Sequence, residues 1–324
     1  LPSSTVSLLF SRRCAQVPLA ALTALLLAGA GGARAAGPMG AAAVVPVVPV
    51  VEGTLGRIAA TGTINLGHRE SSVPFSYYDA NRQVVGYSHE LMLKVVEAVK
   101  AELKLPALTL RLVPVTSQNR IPLVQNGSVD LECGSTSHTA ERAREVAFST
   151  SFFVISTRLL VPRGSAVRDF ADLGGKRVVV TAGTTSERLL RTYSESRTKR
   201  IQVVTARDHG EAFRVLEEGQ VDAFMLDDAL LHGERAKARE PQRWVVTGTP
   251  MSTEVYGCMM RHGDAAFKAV VDRALARALT SGEAGRIYTR WFQRPIPPRG
   301  LNLEFPPSAA LLSLFRQPDD RPLP

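Results

Sequence analysis

The run from Leu131 to Arg142 (Leu-Glu-Cys-Gly-Ser-Thr-Ser-His-Thr-Ala-Glu-Arg) has the residue types needed to hold a small anion. An apolar strand pattern, Val129, Leu131 and Cys133, runs into hydroxylated residues and then into an arginine. Gly134 lets backbone come close to a ligand, and hydroxyls past a strand end bind small polar molecules. The guanidinium of Arg142 is a planar fork that matches a carboxylate with two parallel hydrogen bonds. An ordinary strand, a Ser/Thr-rich turn and a solvated arginine would share this pattern. A second stretch, Thr116-Ser-Gln-Asn-Arg120, is expected to open a short helix. Thr116 or Ser117 would cap it and leave first-turn N–H groups facing a negative ligand. No Cys or His falls at C-x-x-C or H-E-x-x-H spacing, so neither a metal nor another cofactor is expected.

The elements that must position these groups fit within 324 residues, enough for two lobes with their own cores. Hydrophobic residues make up 45% and charged residues 21%, as in an ordinary globular protein. The net charge of +9 includes Arg12, Arg13 and Arg34, which lie in a segment expected to be removed. What remains holds no basic run of the kind that grips nucleic acid.

Residues 1–36 read as a secretory signal: Arg12-Arg13, an apolar stretch from Val17 to Ala28, then Ala33-Arg-Ala-Ala36 for cleavage. A retained N-terminal anchor is the alternative, and Ser11-Arg12-Arg13 loosely resembles a twin-arginine export signal. Residues 37–52, with repeated Val-Val-Pro, read as a linker. Export places the mature chain in an oxidising compartment, the periplasm. Cys14 leaves with the signal, and the remaining pair, Cys133 and Cys258, is expected to form a disulfide. Two buried thiols are the alternative.

Strand and helix patterns then alternate. A short helix around Leu55 and Ile58 leads to a strand over 63–68. Leu91, Met92, Val95, Val96, Val99 and Leu103 recur at helical spacing. Strands are expected over 108–113, 129–133, 157–161, 177–181, 223–226 and 255–261. Helices are expected from 183 and 210, after Asp227-Asp228, and over 264–279. The alternation argues for α/β architecture with mostly parallel sheets. The proline-rich C-terminus reads as a wrapping tail.

Several stretches together resemble the periplasmic glutamate/aspartate-binding proteins of ABC importers, within the family 3 solute-binding proteins. They are Gly67-His-Arg-Glu-Ser-Ser-Val-Pro-Phe-Ser-Tyr-Tyr-Asp79, Thr116-Ser-Gln-Asn-Arg-Ile-Pro-Leu123, Glu132-Cys-Gly-Ser-Thr136, Gly183-Thr-Thr-Ser-Glu187, Asp208-His-Gly210, Phe224-Met-Leu-Asp-Asp-Ala-Leu230 and Tyr256-Gly-Cys-Met259. The resemblance covers about residues 55–315. It implies a type II binding-protein fold, two α/β lobes joined by two hinge strands at Thr157–Val161 and Val255–Cys258. Lobe one would be 53–157 with 258–324, and lobe two 158–257.

The resemblance also implies a site. Arg142 would grip the ligand's α-carboxylate, helped by Ser137, where the family has Thr, and by Thr185 at a helix start. Ser135 and Asp227 would hold the ammonium. Arg69, Ser117, Arg120 and His209 would meet the side-chain carboxylate and set the preference for L-glutamate or L-aspartate. Each has a plainer alternative: ion pairs with Glu70 and other surface carboxylates for the arginines, a cap for Ser117, a solvated loop for His209. Asp228 is expected only to favour its helix start. Phe75, Tyr77 and Tyr78 would line the cleft or simply pack. The implied partner is an ABC permease, the implied state a monomer and the implied role non-catalytic. An enzyme on the same fold, dehydratase-like or murein-cleaving, and a sensor subunit are the competing readings.

Overall fold

The computed structural model describes residues 53–300 and 302–322, so the expected signal and linker lie outside the described residues. Helix α1 (Gly53–Thr61) buries Leu55 and Ile58 and feeds strand β1 (Thr63–His68). A small antiparallel sheet follows, made of β2 (Ser71–Ser72), β3 (Ser76–Tyr78) and β4 (Val84–Val85). Helix α2 (Tyr87–Glu102) turns Leu91, Met92, Val95, Val96 and Val99 inward, as their spacing requires. Then come β5 (Thr109–Pro114), α3 (Arg120–Gln125), β6 (Leu131–Glu132), β7 (Ala147–Phe148) and the long β8 (Phe153–Pro162).

The middle of the chain alternates β9 (Arg177–Thr181), α4 (Thr185–Glu195), β10 (Gln202–Ala206), α5 (His209–Glu217), β11 (Ala223–Asp227), α6 (Asp228–Lys237) and β12 (Trp244–Thr247). Strands β13 (Thr253–Tyr256) and β14 (Met259–Met260) lead to helices α7 (Ala265–Thr280), α8 (Glu283–Phe292) and α9 (Ala309–Arg316).

Two open sheets result, ordered β5-β1-β6-β14-β7 and β10-β9-β11-β8-β12. The parallel arrangement read from the sequence holds for the block β5-β1-β6 and for β10-β9-β11. The strands that complete each sheet run antiparallel, because they carry the chain back between the two halves. Strand β8 makes this crossing. Its first half pairs with β13 (Val154 opposite Val255), and its second half with β11 and β12. The hinge strand therefore starts at Phe153, four residues before the expected Thr157, and its alternating burial is unbroken from Phe153 to Leu159.

Other boundaries shift for local reasons. The strand expected over 129–133 shortens to Leu131–Glu132, since the Asp130 carboxylate accepts from Asn65 N (2.7 Å) and pairs with Arg57. The stretch 255–261 divides at Gly257-Cys258 into β13 and β14. In the tail, Ser308 Oγ accepts from Leu311 N at 3.1 Å and starts α9, a helix where only a wrapping segment was expected. Cys133 and Cys258 are joined by a disulfide, buried beside the ends of β6 and β14.

The shared core is aromatic. Phe75 lies edge-on to Phe153 (4.8 Å between centroids), and Tyr288 stacks on Phe292 at 4.4 Å. Phe75 and Tyr77 pack in this core, whereas Tyr78 is half-buried beside His68. A second cluster, including Leu159, Phe170, Val178, Leu190 and Met225, supports the second sheet. Among the described residues no helix is long and apolar enough to cross a membrane, and no group of three or more His, Cys, Asp or Glu is placed to hold a metal ion.

Candidate functional site

The site lies where the ends of β1, β6, β9 and β11 meet across the seam between the two halves. On the first side, β1 ends at His68 and delivers Arg69, which is 2% exposed. Its Nη2 donates to Ser117 Oγ at 2.9 Å, while Nη1 is buried with no hydrogen-bond partner among the described residues. Ser117 therefore does not cap α3. The Thr116 hydroxyl accepts from Asn119 N, and the helix starts only at Arg120.

Arg120, also 2% exposed, donates through Nη1 to Ser135 O (3.0 Å) and to Thr136 Oγ1 (2.7 Å), and its Nε is left unpartnered. The Thr136 hydroxyl in turn donates to Glu132 Oε2 at 2.9 Å, so it links the guanidinium to a buried carboxylate. Ser135 Oγ is buried and unpartnered. Arg142 is 9% exposed and donates to two carbonyls, Ser137 O (3.0 Å) and, across the seam, Gly183 O (3.1 Å).

The second side answers with α4, α5 and β11. Thr184 caps α4, accepting from Glu187 N, and Thr185 opens the helix with its hydroxyl on Glu254 Oε2 at 2.8 Å. His209 is the first residue of α5, capped by Asp208. Its ring is buried, not solvated: Nδ1 meets Thr181 Oγ1 at 2.8 Å, and Nε2 is unpartnered. Asp227 ends β11, where Tyr256 donates its phenol to Oδ2 and Ser186 lies 3.4 Å from Oδ1. Asp228 behaves as expected of a helix start, accepting from Ser156 N and Ala229 N. The halves meet again at Ser71 Oγ, 3.3 Å from Asp208 Oδ1, and at the pair Arg188–Glu141.

Burial sets the protonation of these groups. Desolvation first, then repulsion by Arg69, lowers Arg120 to about 10, still charged at neutral pH. Arg142 falls to about 10 through desolvation and the charge of Arg120. Arg69 is lowered by burial, against the pull of Glu132. His209 is held well below its ordinary range by burial and by Arg69 and Arg120, so it is neutral. Asp227 is raised to about 7 by burial and by Glu254, against the hydrogen bond from Tyr256.

All nine residues implied by the resemblance thus converge on one buried polar cluster. Sequence reasoning missed Glu132, Thr136, Ser186, Glu254 and Tyr256. The usable signal was a glutamate in an otherwise apolar strand and the tyrosine of the hinge motif. The rest have no local signature.

A family model, bacterial extracellular solute-binding proteins, family 3, matches residues 64–294. The chain belongs to this family. It is 56% identical over 270 residues to an L-glutamate/L-aspartate-binding protein of Pseudomonas aeruginosa, covering 83% of this chain and 89% of that one. The glutamate/aspartate import solute-binding protein of Escherichia coli is 52% identical over the same length, with the same coverage. In structure the chain is similar to an ancestral arginine-binding protein bound to arginine (TM-score 0.64, 26% identity, 71% of this chain and 98% of that one). This family 3 chain therefore has the two-lobed type II fold. It is a binding protein, and not an enzyme built on the same lobes.

Proposed function

We propose that this protein captures L-glutamate or L-aspartate between its lobes in the periplasm and delivers it, as a monomer, to the membrane subunits of an ABC importer. Residues 1–36 act as the signal peptide and 37–52 as a linker. Lobe one comprises 53–157 and 258–324, and lobe two 158–257.

The observation that carries this reading is the gathering of three buried guanidiniums, Arg69, Arg120 and Arg142, at one site, with Arg69 Nη1 and Arg120 Nε left without a partner among the described residues. Such donors suit a ligand with two carboxylates, and the carboxylate of Asp227 suits its one ammonium. A neutral amino acid would leave the side-chain donors underpaired in a site shut off from water, at a penalty of about a few kcal/mol.

Roles follow from donor chemistry. Asp227, acceptor-only when ionised, and Ser135 Oγ hold the ammonium. Arg142, with Ser137 and the N–H groups at the start of α4, holds the α-carboxylate. Arg69, Ser117, Arg120 and His209 meet the side-chain carboxylate. His209 acts as a neutral donor through Nε2 in the tautomer in which the Thr181 hydroxyl, 2.8 Å away, donates to Nδ1. Both relatives described above carry glutamate and aspartate in their names, and the structural relative, bound to arginine, shares only 26% of its sequence with this chain.

Calorimetric titration of the mature chain, refolded to strip carried-over ligand, tests the reading. L-glutamate, L-aspartate, L-glutamine and L-arginine are the ligands. Tight binding of an acidic amino acid, lost for every ligand in Arg142→Ala, is expected. Preference for glutamine or arginine would overturn the side-chain assignment, and silence with all four would overturn the transport function. The mass of the exported protein should begin near residue 37.

A further inference from the structure

Two glycines mark where the lobes touch. At Gly183 (φ 79°), a Cβ would stand 2.8 Å from Ser117 O and 2.9 Å from the backbone of Gln118. That contact belongs to the binding cleft, because the Gly183 carbonyl accepts from Arg142. Gly233 is different: it lies inside α6, which packs on β8, β11 and β12 of the second sheet, and the atoms nearest an added Cβ all belong to Val73, which is not a clamp residue. A Cβ there would stand 2.1 Å from the carbonyl oxygen of Val73 and 2.7 Å from its carbonyl carbon. Val73 belongs to the other lobe, in the turn between β2 and β3, two residues beyond Ser71. The same seam continues at the end of α6, where Arg299 Nη1 donates to Lys237 O at 3.0 Å.

We propose that Gly233 is the stop on which the lobes close, a positioning residue that sets how tightly the cleft grips an amino acid it never touches. The proposal rests on the reading of ligand capture between the lobes. Helix α6 needs no glycine for its own sake, since alanine is the better helix former and Gly233 sits in its interior. The separation from Val73 O falls about 1 Å short of ordinary carbon–oxygen contact, so a methyl group would prop the seam open by that much. The clamp bonds across the seam are near 3 Å (Arg142 to Gly183 O is 3.1 Å) and would be lost or lengthened. With the lobes apart, the Val73 carbonyl withdraws from α6 and the methyl group meets only solvent.

The predicted signature of Gly233→Ala is therefore weaker binding on a fold that is no less stable. The mature protein and its Gly233→Ala form are titrated with L-glutamate and L-aspartate, and dissociation rates are followed by stopped flow. Gly285→Ala, in α8 with nothing within 4 Å of the added atom, is the control. In Gly233→Ala both dissociation constants should rise at least about tenfold through faster release, with their ratio unchanged, as expected for a displacement near 1 Å. The ligand-free melting temperature should equal or exceed that of the natural protein. Unchanged affinity would overturn the proposal. So would a drop in the ligand-free melting temperature, with or without weaker binding, because the contact would then be permanent packing. If the natural protein prefers another of the four amino acids, the ligand assignment fails, and the comparison runs with that ligand. If it binds none, both readings fail.

Discussion

Replacing Arg120 by glutamine tests the charge complement directly. In the structure this side chain is 2% exposed, spends Nη1 on Ser135 O and Thr136 Oγ1, and keeps Nε without a partner. Truncating one member of a buried, hydrogen-bonded charge pair costs about 2–5 kcal/mol, or roughly 30- to several-thousand-fold in affinity. Part of that loss has nothing to do with ligand charge. Without Arg120 the Thr136 hydroxyl loses the hydrogen bond it accepts, and Glu132 loses the cation that Thr136 links to it. A second ligand separates the two effects. L-glutamine has the same ammonium and α-carboxylate as L-glutamate but a neutral side chain. Whatever Arg120→Gln does to the scaffold applies to both, so the difference between their losses isolates the contact with the side-chain carboxylate. We expect L-glutamate to lose at least about 3 kcal/mol and L-glutamine no more than about 1.5 kcal/mol, narrowing their ratio at least tenfold. Isothermal titration of the natural and substituted chains with both ligands gives the four numbers. Equal losses would refute the reasoning, because Arg120 would then serve the scaffold or the α-carboxylate.

Asp227→Asn should weaken L-glutamate, L-aspartate and L-glutamine alike, by about 2–5 kcal/mol in the same titrations, since all three share the ammonium. His89, packed in the core and lowered to about 4 mainly by burial, gives a pH dependence. Its neutral form is the folded one, so its stability contribution is whole above the unfolded value of 6.5 and is lost as pH falls toward 4. Between pH 7 and pH 5 that loss is about 2 kcal/mol, and thermal melts of His89→Gln should lack this part of the acid destabilisation. Reduction of the Cys133–Cys258 disulfide, which closes a loop spanning 125 residues, should lower stability by about 3–5 kcal/mol, read as a fall in melting temperature with reductant.

What was legible in the sequence was whatever repeats at a fixed period or carries a strong local rule. Helices α2 and α7 announce themselves by apolar spacing, and β9 and β11 by unbroken apolar runs. The disulfide followed from the two cysteines that remain once the stretch read as a signal is set aside. Helix α9 was hidden because prolines flank it, although its cap, Ser308, is an ordinary one. At the site, the arginines and hydroxyls could be named in advance, but their mutual arrangement could not. Ser117 looks like a cap and instead faces Arg69 from 48 residues away. Tyr256 reaches Asp227 because the bridge between Ser137 and Tyr256 brings the hinge beside the run that ends at Arg142. Such contacts come from the crossing of β8 and β13 between the lobes, and no short window of sequence records them.

The protonation shifts explain why such a cluster makes a switch. Burial pushes four of its side chains toward their neutral forms: Asp227 up to about 7, Arg120 and Arg142 down to about 10, and His209 well below its usual range. The shifts correspond to about 3–4 kcal/mol of unfavourable environment for the charged form of each arginine and about 4–5 kcal/mol for Asp227, although these couple and do not add. With the protein's own charges alone, keeping these groups ionised in the buried cluster is therefore electrostatically unfavourable. An acidic amino acid reverses each term, its ammonium favouring ionised Asp227 and its carboxylates favouring charged arginines. The ligand's differential affinity for the closed arrangement is then what drives closure. A neutral or cationic amino acid reverses fewer of these terms, so it should leave the lobes further open as well as bind more weakly. Small-angle scattering with saturating L-glutamate and L-glutamine should show the smaller radius for L-glutamate. Equal radii at saturation would mean that closure is governed by the shared amino-acid head group, and that the side-chain arginines set affinity alone.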